Sequence, residues 1–123
     1  MGFLDKKLNE EKLSQLSYLD YLKWIQKEVG LLSYSKGDNS DVYWYAKEIV
    51  SSVINRYIKE NGLTMSNYTD TEIGSNLKST QVSIEDFYKY DKTHKMKSQT
   101  ISEFKTDIDD DITRIIYQIE NNG

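Results

Sequence analysis

The chain has 123 residues, a formal net charge of −4, one histidine (His94), and neither proline nor cysteine. Disulfides and cysteine-based zinc or redox chemistry are therefore excluded, and no apolar run approaches the ~20 residues of a membrane-spanning helix. The length predicts one domain over residues 1–123, with one hydrophobic core. The N-terminal MGFLDKKLNEE lacks the apolar stretch of a secretory signal, so the expected location is cytoplasmic.

A chain without proline favours long uninterrupted helices, and the expected fold class is all-α with about five of them. The first is predicted from Leu4 to Val29, where Leu13, Leu16, Leu19, Leu22, Ile25 and Val29 recur at spacings of three and four. Gly30 closes it. A loop over LLSYSKGDNS supplies N-cap residues to a second helix from Val42 to Glu60. Its apolar arc, Tyr43, Ala46, Val50, Val53 and Tyr57 widened by Val42, Tyr45, Ile49 and Ile58, is broad enough for a helix with neighbours on more than one side. Asn61-Gly62 stops it.

Thr69-x-x-Glu72 has capping-box spacing and predicts a short helix from Asp70 to Leu77. Another short helix is predicted from Thr80 to Tyr90. A second capping box, Thr100-x-x-Glu103, opens the last helix over 100–121, an amphipathic segment with Ile101, Phe104, Ile108, Ile112, Ile115 and Ile119 on one face. Such a stripe must be buried, either against the rest of the chain or against a second copy in a homodimer. Charge is uneven: residues 100–123 carry two basic and six acidic residues. The densest positive stretch holds Lys89, Lys92, Lys95 and Lys97 against Asp91.

Between residues 42 and 90 the helix–connector–helix–break–helix pattern includes Ile54, Tyr57, Ile58, Asn61 and Gly62, then Glu72, Ile73, Gly74, Leu77, Thr80, Ser83, Ile84 and Phe87. This segment resembles the helix-turn-helix of winged-helix transcriptional regulators. The resemblance implies a crossing of two helices at the small residue Gly74, with Ile73, Leu77, Ile84 and Phe87 inside. It implies that Gln81, Val82, Glu85, Asp86 and Lys89 face outward from a reading helix, and that Gln81 and the lysines Lys89, Lys92, Lys95 and Lys97 meet DNA. The sequence departs from the pattern at Lys78 and Ser79, where the turn usually holds a glycine and an apolar residue. Glu85 and Asp86 oppose a polyanion, and no glycine-punctuated hairpin follows to form a wing.

Asp107, Asp109, Asp110 and Asp111 do not make an EF-hand loop, because Ile112 and Gln118 stand where glycine and glutamate are needed. They read as a solvated helix face with pairs Lys105–Asp109 and Asp110–Arg114, or as an acidic strip for a basic partner. A lone His94 cannot supply a histidine pair for zinc, and no G-x-S-x-G, Walker A or G-x-G-x-x-G pattern is present. No cofactor or metal is expected, and no catalysis. Tyr43, Trp44 and Tyr45 are consecutive, so at least one must be exposed. Two functions follow as expectations. One is a small DNA-binding regulator or accessory protein, of the kind a mobile element or phage carries. The other is an acidic inhibitor or immunity-type protein, for example an anti-defence or anti-CRISPR-like one, that blocks a protein partner through Asp109, Asp110, Asp111 and Trp44.

Overall fold

The computed structural model describes residues 10–32, 40–91 and 98–122. Five α-helices follow in order: α1 (Glu10–Ser14), α2 (Tyr18–Gly30), α3 (Ser40–Glu60), α4 (Glu72–Asp91) and α5 (Ser98–Asn122). A 3₁₀ turn, Tyr68–Asp70, precedes α4. The fold is all-α, and among the described residues no helix is long and apolar enough to cross a membrane.

Contacts between side chains fix the direction of each helix. Tyr21 meets Ser52 while Glu28 meets Tyr45, so α2 and α3 run antiparallel. Tyr57 meets Thr71 and Tyr43 meets Phe87, which sets α3 against α4. Phe87 meets Phe104 and Thr80 meets Asp111, so α5 opposes α4. Finally Gln26 reaches Asp109 and Lys105 reaches the Gly30 carbonyl, which returns α5 to α2. The four long helices form a closed up-down-up-down bundle. The broad apolar arc of α3 is used as expected: Val42, Tyr43, Tyr45, Ala46, Ile49, Val50, Val53, Ile54 and Tyr57 are all buried.

The helix boundaries differ from the sequence reading by more than a residue or two in two places. The single N-terminal helix is interrupted between Ser14 and Tyr18, where Ser17 takes an extended conformation and caps α2 by accepting from the Asp20 amide at 3.2 Å. Arg56 of α3 holds the break, donating to the Leu13 carbonyl at 3.1 Å and the Leu16 carbonyl at 2.6 Å. The Leu13 carbonyl also accepts from the Leu16 amide at 3.2 Å, so Arg56 adds to a local turn there. Leu4 and Leu8 lie outside the described residues.

The second difference is larger. The helices expected at 70–77 and 80–90 are one continuous helix, α4. Lys78 and Ser79 are exposed on it, and the Thr80 hydroxyl reaches the Asn76 carbonyl one turn back. Nothing at these positions breaks a helix, so the turn of a helix-turn-helix is absent and residues 42–90 form an antiparallel helix pair. The cap also moves. Thr71, and not Thr69, accepts from the amide three residues on, that of Gly74, at 2.9 Å. The one hydrogen of Thr71 goes to the Tyr68 carbonyl, so Tyr57 is the donor in the 2.9 Å contact between their hydroxyls. Gly74 is needed here, not at a crossing: a Cβ on it would stand 1.8 Å from the Tyr68 carbonyl oxygen.

The last helix starts at Ser98, two residues before the expected boundary; the side chain of Thr100 lies outside those described. Ile101, Phe104, Ile108, Ile112 and Ile115 are buried within the bundle and Ile119 packs against the core. The isoleucine stripe is covered by the chain itself, the first of the two expected ways of burying it, so this stripe does not call for a second copy.

The two helical glycines with contrasting surroundings give a direct check. Gly74→Ala must displace backbone and is expected to cost about 1–3 kcal/mol. Gly30→Ala, with nothing within 4 Å of its added Cβ, is expected to be neutral or to stabilise by up to ~1 kcal/mol. Paired thermal or urea denaturation reads both.

Candidate functional site

Helical geometry turns each residue 100° from the last, so Tyr43 and Tyr45 leave α3 on opposite flanks and Trp44 projects between them. Tyr43 and Tyr45 are buried, whereas Trp44 is 45% exposed. Beside it lies a cleft of about 270 Å³ between α3 and α4, lined by Tyr43, Trp44, Lys47, Ile84, Glu85 and Lys89. Its floor is rigidly supported. The Tyr43 hydroxyl donates to the Phe87 carbonyl at 2.6 Å, and the Tyr43 and Phe87 rings both pack on Phe104, at centroid distances of 5.8 and 5.3 Å. Such tilted and edge-on contacts suit the aromatic quadrupole.

The rim is polar. The Lys47 ammonium sits 5.2 Å from the Trp44 ring centroid and 3.8 Å from a carboxylate oxygen of Glu85. Both side chains of this pair are about two-fifths exposed, so the pair adds little stability but sets the charge at the mouth. Lys89, one turn beyond Glu85, brings a second ammonium. Glu85 thus answers a lysine of α3.

A second concave region, about 170 Å³, lies on the α4–α5 seam among Asn76, Ser79, Thr80, Ser83, Asp107, Asp110, Asp111 and Arg114. Asp111 is buried at 4% exposure. Its carboxyl meets the Thr80 hydroxyl at 2.5 Å and the Arg114 guanidinium at 3.4 Å. Burial pushes the Asp111 carboxyl up from the usual carboxylate range; Thr80 and Arg114 pull it back, while Asp107 and Asp110 push it further up. Asp107 is also raised, first by burial and then by Asp110 and Glu103. Among the described residues no cluster of three or more histidine, cysteine or acidic side chains is placed to hold a metal ion.

The structure sorts the candidate residues of the sequence reading. Trp44 is exposed, while its neighbours Tyr43 and Tyr45 are buried. Asp109 is exposed and accepts from Gln26 at 3.1 Å, and Asp110 is exposed. Asp111 is not part of any outer strip, because it faces inward onto Thr80. The expected i,i+4 pairs are replaced: Arg114 turns to Asp111, Asp109 to Gln26, and Lys105 to the Gly30 carbonyl at 3.3 Å. Gln81 is half-buried and Lys89 exposed, both on α4. Lys92, His94, Lys95 and Lys97 lie outside the described residues. Sequence reasoning missed Tyr43, Lys47, Ile84 and Glu85 as one lining. The i,i+4 spacings of Tyr43 with Lys47 and of Glu85 with Lys89 are visible in the sequence, but their juxtaposition needs an unbroken α4 beside α3.

Compared with known protein families, curated proteins and solved structures, the chain matches none.

Adjacent aspartates provide a test of this placement. Asp110→Lys, at an exposed position, is expected to change stability by less than about 0.5 kcal/mol. Asp111→Lys buries a cation beside Arg114 and is expected to cost about 3 kcal/mol or more. Equal denaturation midpoints for the two variants would contradict the buried seam.

Proposed function

We propose that the protein is a non-catalytic interaction protein that captures a protein partner in the α3–α4 cleft. The partner element that fits is a large apolar side chain followed by a carboxylate. The observation that carries this reading is Trp44, an exposed aromatic set over a preformed apolar hollow whose floor is fixed by Tyr43. Binding hot spots are enriched in tryptophan and lie in well-packed pockets. Rim charge supplies the rest of the selection. Glu85 answers Lys47, and Lys89 leaves the mouth with one net positive charge in a chain of net charge −4. This keeps the acidic inhibitor reading of the sequence and moves its contact from the aspartates of α5 to the other side of α4.

The DNA-binding reading finds less support in the geometry. A reading helix needs a turn before it, and α4 runs straight through residues 78 and 79. What favours it is Lys89, exposed at the entry to the basic stretch that continues to Lys92, Lys95 and Lys97. The two readings separate cleanly in one capture experiment. Tagged wild-type protein is expected to retain a partner from its native host after nuclease treatment. Trp44→Glu is expected to lose that partner while keeping its melting temperature, and Lys89→Glu to weaken capture about tenfold or less, as a rim charge does. Capture abolished by nuclease but indifferent to Trp44, together with a gel shift of random duplex DNA at ~100 mM salt, would overturn the proposal in favour of nucleic acid.

A further inference from the structure

The two walls of the α3–α4 cleft restrict what a partner can place there. Both are helix interiors, and their backbone N–H and C=O groups are used within each helix. Unlike a sheet edge, they offer a bound chain no backbone hydrogen bonds. An extended segment pressed between them would lose water from its inner amides and carbonyls and gain no partner in return, a cost paid at every buried group. A helical segment meets its backbone needs within itself and presents only side chains.

The groove is also longer than the cleft. Lys47 and Glu85 stand level, 3.8 Å apart, on antiparallel helices. Four residues onward on α3 is Ser51, and four residues back on α4 is Gln81, so these two form the next level, both half-buried. Lys78 follows on α4, exposed and on the same face as Gln81, Glu85 and Lys89 by its spacings of three and four. From Lys78 to Lys89 is about 16 Å along the axis, or roughly three turns. Glu85, at the mouth of the cleft, stands one turn from Lys89 and two from Lys78. Along this line Lys47, Lys78 and Lys89 outweigh Glu85, in a chain of net charge −4.

We infer, resting on the capture of a protein partner proposed above, that the captured element is a short amphipathic helix lying along the α3–α4 groove. It seats one large apolar residue beside Trp44. It carries an acidic residue one turn from that anchor, toward Lys89, and another two turns away on the other side, toward Lys78. Lys78 is thereby a selecting residue, although it does not line the cleft.

Selection of phage-displayed random peptides on the intact protein tests this, with peptides of about 16 residues, a little over four helical turns. Enriched peptides are then synthesised and titrated by fluorescence anisotropy. They are expected to share an apolar residue flanked by acidic residues at helical spacing, and to lose binding when a residue between anchor and acid is replaced by proline. Trp44→Glu is expected to weaken them more than about tenfold, and Lys78→Glu about three- to tenfold. Lys23→Glu, the same charge change at an exposed position of α2, is expected to leave them unchanged. Peptides lost on Trp44→Glu but tolerant of proline, indifferent to Lys78→Glu, or weakened equally by Lys78→Glu and Lys23→Glu would overturn the helical inference and leave the cleft as the capture site. Peptides indifferent to Trp44→Glu, or no enrichment at all, would overturn the cleft reading and this inference with it.

Discussion

A phenol in the core of a helical bundle must find an acceptor or a donor for its hydroxyl, and this requirement holds α3 in place. Three of its tyrosines reach different neighbours. Tyr45 donates to Glu28 of α2 at 2.8 Å, Tyr43 to the Phe87 carbonyl of α4 at 2.6 Å, and Tyr57 to Thr71 at the cap of α4. Tyr21 returns from α2 to Ser52 of α3 at 2.5 Å. Each bond joins two helices at a defined height, so together they fix the register of α2, α3 and α4 more narrowly than apolar packing alone does. Tyr18 is the exception: its hydroxyl is buried with no hydrogen-bond partner among the described residues, and burial raises its pKa. Its ring lies 5.8 Å from the Arg56 guanidinium, which is engaged on the carbonyls of the α1–α2 break.

The site follows from the same constraint. With Tyr43 and Tyr45 drawn to opposite flanks of α3, Trp44 has only the outer surface left to it. The bond from Tyr43 to Phe87 brings α4 close at the level of Ile84 and Glu85 and makes the second wall of the cleft. On the far side of α4, the same helix presents Thr80 to Asp111. One helix therefore separates an apolar hollow with a cationic rim from a polar seam with a buried carboxyl. Three of the acids of α5, Asp107, Asp110 and Asp111, line that seam.

Much of the fold could be read from the residues, and the places where it could not have physical causes. Spacing of apolar residues located α3 and α5 nearly to their ends, because those stripes are long and their caps or stops are strong. The broad arc of α3 announced neighbours on more than one side. The break at Ser17 was hidden, because Leu13, Leu16 and Leu19 keep helical spacing across it and the residue that stabilises it, Arg56, is forty positions away. At 78–79 the opposite happened. A family resemblance suggested a turn where Lys78 and Ser79 carry no intrinsic reason to stop a helix, and the tertiary setting continues it. That at least one of Tyr43, Trp44 and Tyr45 must be exposed was legible from their consecutive positions, and Trp44 is that one. The burial of Asp111 was not, since four clustered acids look alike in a sequence and only the packing of Thr80 against one of them sets it apart.

The account rests on α3 being tied to two neighbours by separate hydroxyls, and this can be measured in one double-mutant cycle of Tyr43→Phe and Tyr45→Phe by urea denaturation. Each loss is expected to destabilise, Tyr43→Phe by about 0.5–1.5 kcal/mol and Tyr45→Phe by about 1.5–3 kcal/mol because its acceptor is a carboxylate. The two are expected to add within about 0.5 kcal/mol, as independent sites do. Two variants as stable as the wild type would contradict the account, as would a double variant no less stable than either single one.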